Sequence, residues 1–477
     1  MEKFFHSVYL DDSLCRGCIN CIKRCPTRAI RVRNGKARII NEFCIDCGEC
    51  VRTCSYHAKK LHRDTLDILN QFDYTVALPA PSLYLQYNNL TDVNIVLTAL
   101  LQLGFDDVYE VAAAAELVSA ATRTYVREHQ DAWPLISTAC PCVVRLIRVR
   151  FPSLVEHLLP LKPPVEVAAE LARRRAIERT GLPADRIGII FLSPCPAKVT
   201  YAKEPLGIQK SQLDGVLAIQ DIYPLLLGRM KQVRDNPRAL SAAGRVGVGW
   251  GISGGESNGM GSDRYLAADG IENVIRVLEE LEDDRLTGLQ FIELDACDGG
   301  CVGGVLNVEN PFVARAKLQQ LNQRLSARPA PPPPEAPASI AWDAPVKYEP
   351  VFRLGSSVAE GISMARRVEA LTEEFPGLDC GCCGAPSCHA LAEDIVRGQA
   401  SKSYCIHILR DHIHTLSNTC AGLVAEAAAQ GGEYSQERLQ ELAGQLDQLD
   451  TEITMMDVGH RPAVPPEGTD EEGGTVG

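Results

Sequence analysis

Apolar, β-favouring runs bounded by turn residues occupy Tyr74–Pro79, Ile187–Pro194, Val246–Gly251 and Leu289–Leu294, and each reads as a strand. Stretches with helical spacing, such as Pro164–Glu178 and Gly270–Glu282, lie between them. This alternation predicts an α/β domain over residues 70–325. Residues 327–338, ARPAPPPPEAPA, can sustain neither helix nor sheet and predict an extended linker within 326–350. Further on, Ile406, Leu409, Ile413, Leu416, Cys420 and Leu423 recur with 3,4 spacing, and so do Leu439, Leu442, Leu446, Leu449, Ile453 and Met456. Gly431-Gly432 separates the two runs, which define a helical region at 411–457. Each run is shorter than the roughly three to four heptads of a firm coiled coil. Packing on the adjacent domain and a homodimer through these helices both fit. Residues 458–477 are rich in Pro, Gly and acid and predict a disordered tail.

The chain has 477 residues, room for roughly three domains. Its 45% hydrophobic and 23% charged content excludes wholesale disorder. A net charge of −13 repels phosphate backbones, so no nucleic-acid partner is expected. No apolar run reaches membrane-spanning length; the best, Val93–Phe105, is too short and carries Asn94 and Gln102. The N-terminal MEKFFHSVYLDDSLC has acids where a signal peptide needs an apolar stretch, which predicts a cytoplasmic protein. Thirteen of the 19 cysteines fall in two dense clusters. In a reducing compartment clustered thiols mean metal more often than disulfides.

Within residues 1–65, Cys15-x2-Cys18-x2-Cys21-x3-Cys25-Pro26 is followed by Cys44-x2-Cys47-x2-Cys50-x3-Cys54. This is the spacing of bacterial two-cluster ferredoxins, in which three close thiolates wrap one 4Fe–4S cube and the fourth reaches the other. One cube would use Cys15, Cys18, Cys21 and Cys54; the other would use Cys44, Cys47, Cys50 and Cys25. Ser55 stands where the repeat would have proline and leaves the ligands unchanged. A pair of zinc sites is the alternative. Two adjacent cubes carry electrons one at a time; they form a wire and do no catalysis.

The α/β region holds three further cysteine segments: Ser137-Thr138-Ala139-Cys140-Pro141, Ser193-Pro194-Cys195-Pro196-Ala197-Lys198, and Asp295-Ala296-Cys297-Asp298-Gly299-Gly300-Cys301-Val302-Gly303-Gly304. The second and third follow strand-like runs, which puts their cysteines on loops at strand C-terminal ends, where α/β sheets place ligands. Four thiolates converging from Cys140, Cys195, Cys297 and Cys301 can hold one buried cube, and the glycines permit close backbone approach.

These segments resemble the three signature motifs of the iron-only (FeFe) hydrogenases, and the likeness extends over residues 1–325. It implies an α/β hydrogenase-like catalytic domain flanked by an N-terminal two-cluster ferredoxin domain and a small C-terminal helical iron–sulfur domain. It also implies an H-cluster: a 4Fe–4S cube on Cys140, Cys195, Cys297 and Cys301, bridged by Cys301 to a two-iron unit with CO and CN ligands. Lys198 matches the lysine that hydrogen-bonds a cyanide ligand, a role suited to an ammonium that is expensive to bury unpaired.

Three positions depart from the family pattern. Ala139 stands where productive members have a proton-passing cysteine, and a methyl group cannot relay a proton. Ser193 and Asp295 replace two methionines, which implies a more polar pocket. Cys142 reads either as a substitute thiol or as an inert buried cysteine. The glycine-rich Gly247-x-Gly249-x-Gly251 stretch lacks the phosphate-loop ending and misses the dinucleotide spacing, so it predicts a tightly packed strand and turn lining the pocket.

Residues 351–410 carry Cys380-Gly381-Cys382-Cys383-Gly384-x3-Cys388-x16-Cys405. Cys380, Cys383, Cys388 and Cys405 suit one more 4Fe–4S cube, with zinc the alternative and Cys382 surplus. In the FeFe family, such a domain together with alanine at the relay position resembles the sensory class. The resemblance implies a protein that binds and slowly oxidises H2 and signals its redox state through its cubes. Its partners would be H2 and protons, a redox protein or a kinase or phosphatase acting in trans, and the hydrogenase maturation factors. The alternative is an electron carrier whose hydrogenase-like domain lacks the two-iron unit.

Overall fold

Strand Ile187–Ser193 is buried at every position, as expected of a parallel strand covered on both faces. It lies beside Tyr74–Pro79, with Ile189 opposite Val76, in a four-stranded parallel sheet completed by Asp107–Val108 and Gly215–Ala218. A second parallel sheet orders Tyr265–Asp269, Phe291–Asp295 and Leu135–Ile136. The computed structural model describes residues 5–327, 339–429 and 436–457. The proline-rich segment 328–338, Gly431-Gly432 and the expected acidic tail at 458–477 lie outside the described residues, as do the side chains of Leu449, Ile453 and Met456.

Two compact units divide the chain. One comprises the chain up to Leu14, Arg24–Ala29 and Ile39–Arg353; the other comprises Cys15–Lys23, Ile30–Arg38 and the chain from Leu354 onward. Both parallel sheets belong to the first. Helix Pro164–Thr180 begins at a proline, whose missing N–H costs nothing there, and ends at Gly181 in the left-handed conformation (φ +69°). Val8–Leu10 pairs antiparallel with Lys59–Leu61 in the same unit.

One expected strand is a helix. Arg245–Gly249 is α-helical because the Glu116 carboxylate accepts hydrogen bonds from the backbone N–H groups of Gly244 (2.9 Å) and Gly247 (3.1 Å), satisfying donors at the helix start. Gly247 is also required sterically: an added Cβ would sit 2.1 Å from the Ala112 carbonyl oxygen. Leu289–Leu294 forms its strand two residues later, at Phe291–Asp295.

In the second unit, strands Ile30–Arg33 and Lys36–Ile39 form a hairpin turned by Asn34-Gly35, both at positive φ. Helices Val358–Glu374 and Cys388–Val396 bury Val368, Ala390, Leu391 and Ala392 in a small core with Phe375 and Cys405. Ser387 caps the second of these helices through the Ala390 N–H. The heptad runs lie in helices Ile406–Ala429 and Gln436–Asp457, where Ile406, Ile413, Leu439 and Leu446 are exposed.

Candidate functional site

Cys140 follows strand Leu135–Ile136, Cys195 follows Ile187–Ser193, and Cys297 and Cys301 follow Phe291–Asp295. The thiols therefore gather at the C-terminal ends of strands from both parallel sheets. They are close enough to act on one another. Burial pushes Cys140, Cys297 and Cys301 up, and neighbouring thiols of the set push them further. The loops close without side-chain bulk: a Cβ at Gly304 would lie 2.2 Å from the Pro194 carbonyl oxygen, and one at Gly300 would lie 2.4 Å from the Ser253 nitrogen.

Burial alone would lower the pKa of the Lys198 ammonium, but Cys301, Cys195, Cys140 and Asp295 outweigh it and hold the pKa above the usual lysine value. Its Nζ donates a 2.9 Å hydrogen bond to the Ala139 carbonyl. Four convergent half-buried thiols, a bulk-free backbone cradle and an ammonium beside them fit an anionic iron–sulfur group.

A cavity of about 60 Å³ lies against Cys140, Lys198 and Cys301, walled by Pro81, Ala139 and Trp250. Three carboxyls also face it: Asp295, Glu293 and Glu256. All three are pushed above the usual carboxylate range, first by burial, and the Glu293 carboxylate adds to the rise at both Asp295 and Glu256. Neighbouring buried carboxyls of this kind disfavour one another's ionisation. Glu256 accepts a 2.6 Å hydrogen bond from Ser137 Oγ, which in turn accepts one from the Ala139 N–H (3.3 Å). Glu293 accepts from the N–H groups of Gly254 (2.9 Å) and Ser257 (2.8 Å).

Two pocket expectations change. Ser193 does not line the cavity: its hydroxyl donates to the Cys195 carbonyl (2.9 Å) and accepts from the Cys195 N–H (3.2 Å). Of the two replaced methionine positions, Asp295 alone lines it. Cys142 is buried away from the cavity, and its thiol is raised first by a hydrogen bond to Cys47 and then by burial. It interacts with Cys47 of the dicluster motif and, more weakly, with the thiols of Cys140 and Cys297.

In the first unit, Cys25, Cys44, Cys47 and Cys50 form one interacting group. Burial, then Cys47, pushes Cys25 up to about 11. Cys44 is raised by burial and by Asp46, with Cys50 and Cys25 contributing. The doubled motif is visible in its hydrogen bonds: the Ala29 N–H donates to Cys25 Sγ (3.1 Å) and the Ala58 N–H to Cys54 Sγ (3.3 Å), each from four residues on. Arg52 leaves this segment to donate a 2.6 Å hydrogen bond to the Gly303 carbonyl, in the loop that carries Cys301. Lys59 is buried, and its Nζ has no hydrogen-bond partner among the described residues. Burial would raise the Cys54 thiol, but backbone N–H groups of Lys59, Ala58 and Tyr56, with the Lys59 charge, bring it below its ordinary value.

In the second unit, Cys15 accepts from the Ala37 N–H (3.4 Å), and Cys18 and Cys21 share its segment. Cys380, Cys383, Cys388 and Cys405 line one small cavity with Leu378 and Asp379. Cys383 is raised by burial, with Cys380 and Cys405 contributing. Cys382 is exposed and outside that cavity.

Sequence reasoning passed over Glu256, Glu293, Ser137, Arg52 and Lys59. A signal existed for Glu293: a glutamate inside the apolar run Phe291–Asp295 needs a reason to be buried. Nothing local marks Glu256 or Ser137, which meet across 119 residues.

The family model for the iron-only hydrogenase large subunit, C-terminal domain, matches residues 73–262 and 249–305. A 4Fe-4S dicluster domain model matches 7–55, and an Fe-S cluster model matches 375–407. Iron hydrogenase 1 of Clostridium pasteurianum is 24% identical over 261 residues, covering 44% of this chain and 44% of that protein. The chain thus spans less than half the length of that relative. Two solved variants of the [FeFe]-hydrogenase HydA1 from Chlamydomonas reinhardtii, each 15% identical, align with TM-scores of 0.41 and 0.42. They cover 51% and 56% of this chain and 83% and 88% of their own. No helix among the described residues is long and apolar enough to cross a membrane. Through residues 73–305, with a 4Fe-4S dicluster domain before them and an Fe-S cluster domain after, the chain belongs to the iron-only hydrogenase family.

Proposed function

We propose that this protein is a sensory iron-only hydrogenase: it binds H2 at an H-cluster, oxidises it slowly, and signals through the redox state of its cubes. The observation that carries the proposal is the single buried cavity shared by Cys140, Cys301, Lys198 and three carboxyls, with Ala139 where a relay thiol would sit. In this reading Cys140, Cys195, Cys297 and Cys301 ligate the cube, and Cys301 bridges to the two-iron unit. When bound, that unit supplies an open iron at which H2 is split heterolytically.

The chain's own residues do the rest. Lys198 offers a buried ammonium to the unit's anionic ligands and so orients it. Trp250 and Pro81 close the apolar side of the cavity and keep water from it. Asp295 opens the segment that carries Cys297 and Cys301 and lines the cavity with Glu293 and Glu256, the last of which is hydrogen-bonded to Ser137. Protons move along this trio instead of through a thiol at position 139. Such a route, without a group at the near end comparable to the missing thiol, suits slow turnover and a long-lived signal. Electrons leave toward the Cys25, Cys44, Cys47 and Cys50 group, past Cys142. The output passes in trans to a redox protein, kinase or phosphatase in the cytoplasm. The exposed Ile413, Leu439 and Leu446 are available for a homodimer.

The second reading is an electron carrier with no two-iron unit. It is favoured by Lys198, one of whose three N–H donors is already taken by the Ala139 carbonyl. Infrared spectroscopy of anaerobic protein, matured with the two-iron precursor and exposed to H2, separates the two. Carbonyl and cyanide bands that shift under H2 support the sensor; full iron and sulfide without such bands support the carrier.

A further inference from the structure

The C-terminal cysteine loop shares its compact unit with one face of the dicluster domain, the segments Cys15–Lys23 and Ile30–Arg38. The packing is close at the backbone level. The Val32 N–H donates a 2.8 Å hydrogen bond to the Gly384 carbonyl, and a Cβ at Gly384 (φ +75°) would lie 1.8 Å from the Val32 carbonyl oxygen. A Cβ at Gly381 would lie 3.0 Å from Lys23 Cε and 3.4 Å from Ile22 Cδ1. The Lys23 ammonium donates to the Asp379 carbonyl. Thus the residues directly after Cys21 touch the residues on either side of Cys380.

Two arginines of the hairpin fix this contact. Arg31 Nε and Arg33 Nη2 each lie 2.7 Å from Asp394 Oδ2, and Asp394 is only 4% exposed. Arg33 also donates to the carbonyl of Cys383 (2.7 Å) and stacks its guanidinium over the Tyr404 ring at 5.1 Å. Cys383 and the residue after Tyr404, Cys405, are two of the four thiols lining the C-terminal cavity. A buried carboxylate shared by two guanidiniums is costly to desolvate and a weak source of stability, so its use here is the geometry it fixes.

We infer that this contact is an electron-exchange junction: the C-terminal cube takes its electron directly from the cube held by Cys15, Cys18 and Cys21, and Arg33 is the positioning residue. The inference rests on the iron–sulfur reading of these two cysteine sets and needs neither H2 nor a two-iron unit. One electron leaves the reduced dicluster cube and reduces the C-terminal cube; no bond is made or broken and no proton is required. Only the two ligand loops intervene, which is what places the C-terminal site next in line.

The test is electron paramagnetic resonance on the full chain with its cubes reconstituted and chemically reduced by dithionite. Two neighbouring reduced cubes are expected to show spin–spin broadening. A Cys388→Ser variant, lacking the C-terminal cube, supplies the reference spectrum in which only the two dicluster cubes interact. Gly384→Ala, which wedges the contact, and Arg33→Gln, which removes the guanidinium fork, are both expected to lose the broadening in excess of that reference at unchanged iron content. Should Gly384→Ala lose iron, Arg33→Gln decides. A wild-type spectrum no broader than that of the reference with an isolated C-terminal cube added, or full excess broadening retained in the iron-replete variants, overturns the junction. Absence of infrared bands in the earlier experiment would overturn the sensor and leave this result untouched.

Discussion

The Ser137 hydroxyl donates a 2.6 Å hydrogen bond to the Glu256 carboxylate, and the same oxygen accepts from the N–H of Ala139, the residue that replaces a relay thiol. The cavity wall at position 139 therefore adjoins a working acid–base group without containing one. In Ala139→Cys a thiol would join Ser137 and Glu256 to the reacting end of the cavity. Hydrogen evolution by the matured protein is expected to rise by about tenfold or more, within the range a positioned acid–base group contributes. An unchanged rate in a turnover assay would remove the proton-relay account.

Glu256→Gln keeps the shape and the acceptor for Ser137 but removes the proton site. Residual hydrogen–deuterium exchange is expected to fall by about 10²-fold, with iron content unchanged. Retention of exchange would direct attention away from the carboxyl trio.

The same residue carries a stability signature. Burial, then Glu293, holds the Glu256 carboxyl well above its ordinary value, so the folded chain binds more protons than the unfolded one above the normal carboxylate range. Stability therefore decreases as pH rises through that window, and Glu293 and Asp295 act with the same sign. The thermal midpoint of wild-type protein is expected to fall as pH rises above the normal carboxylate range, and Glu256→Gln to flatten that fall. Parallel curves for the two proteins would contradict this assignment.

Lys59 places an ammonium near Cys54 with no hydrogen-bond partner among the described residues. A nearby positive charge favours the more anionic, reduced state of the cube that Cys54 is proposed to ligate. Lys59→Met is expected to lower that cube's potential by about 60 mV, the one-electron equivalent of a tenfold change in equilibrium constant. A redox titration followed by paramagnetic resonance reads it, and an unmoved potential would place the ammonium elsewhere in its effect.

Cys142→Ala removes a buried thiol that interacts with two cysteine groups while leaving the cavity intact. Iron content and hydrogen activity are expected to be unchanged, with about 1 kcal/mol of stability lost to the small void. Loss of activity without loss of iron would restore Cys142 as a proton donor.

The legible parts of the chain were those written locally. Cysteine spacing carried the dicluster domain, and the loops after Ile187–Ser193 and Phe291–Asp295 followed from strand-like runs ending in cysteine. The rest depended on distant partners. Val246–Gly251 has strand-like composition, yet Glu116, 128 residues before Gly244, turns it into a helix start. Ser193 reads as a pocket residue because the resembled family pattern has a methionine there, but a two-residue turn uses up its hydroxyl. Glu256 and Glu293 come from separate segments and acquire meaning only where the sheet brings them to one wall.

Gly48 has left-handed backbone (φ +82°), and an added Cβ there would press to 2.8 Å from the Val305 side chain and 3.2 Å from that of Pro196. Arg52, four residues on, reaches the Gly303 carbonyl. The second half of the dicluster segment is thus cut to fit the loops that carry Cys195 and Cys301. It is no interchangeable plug: a chimera that exchanges this segment for another ferredoxin must bring the matching 196 and 303–305 surfaces with it, or the seam will not close.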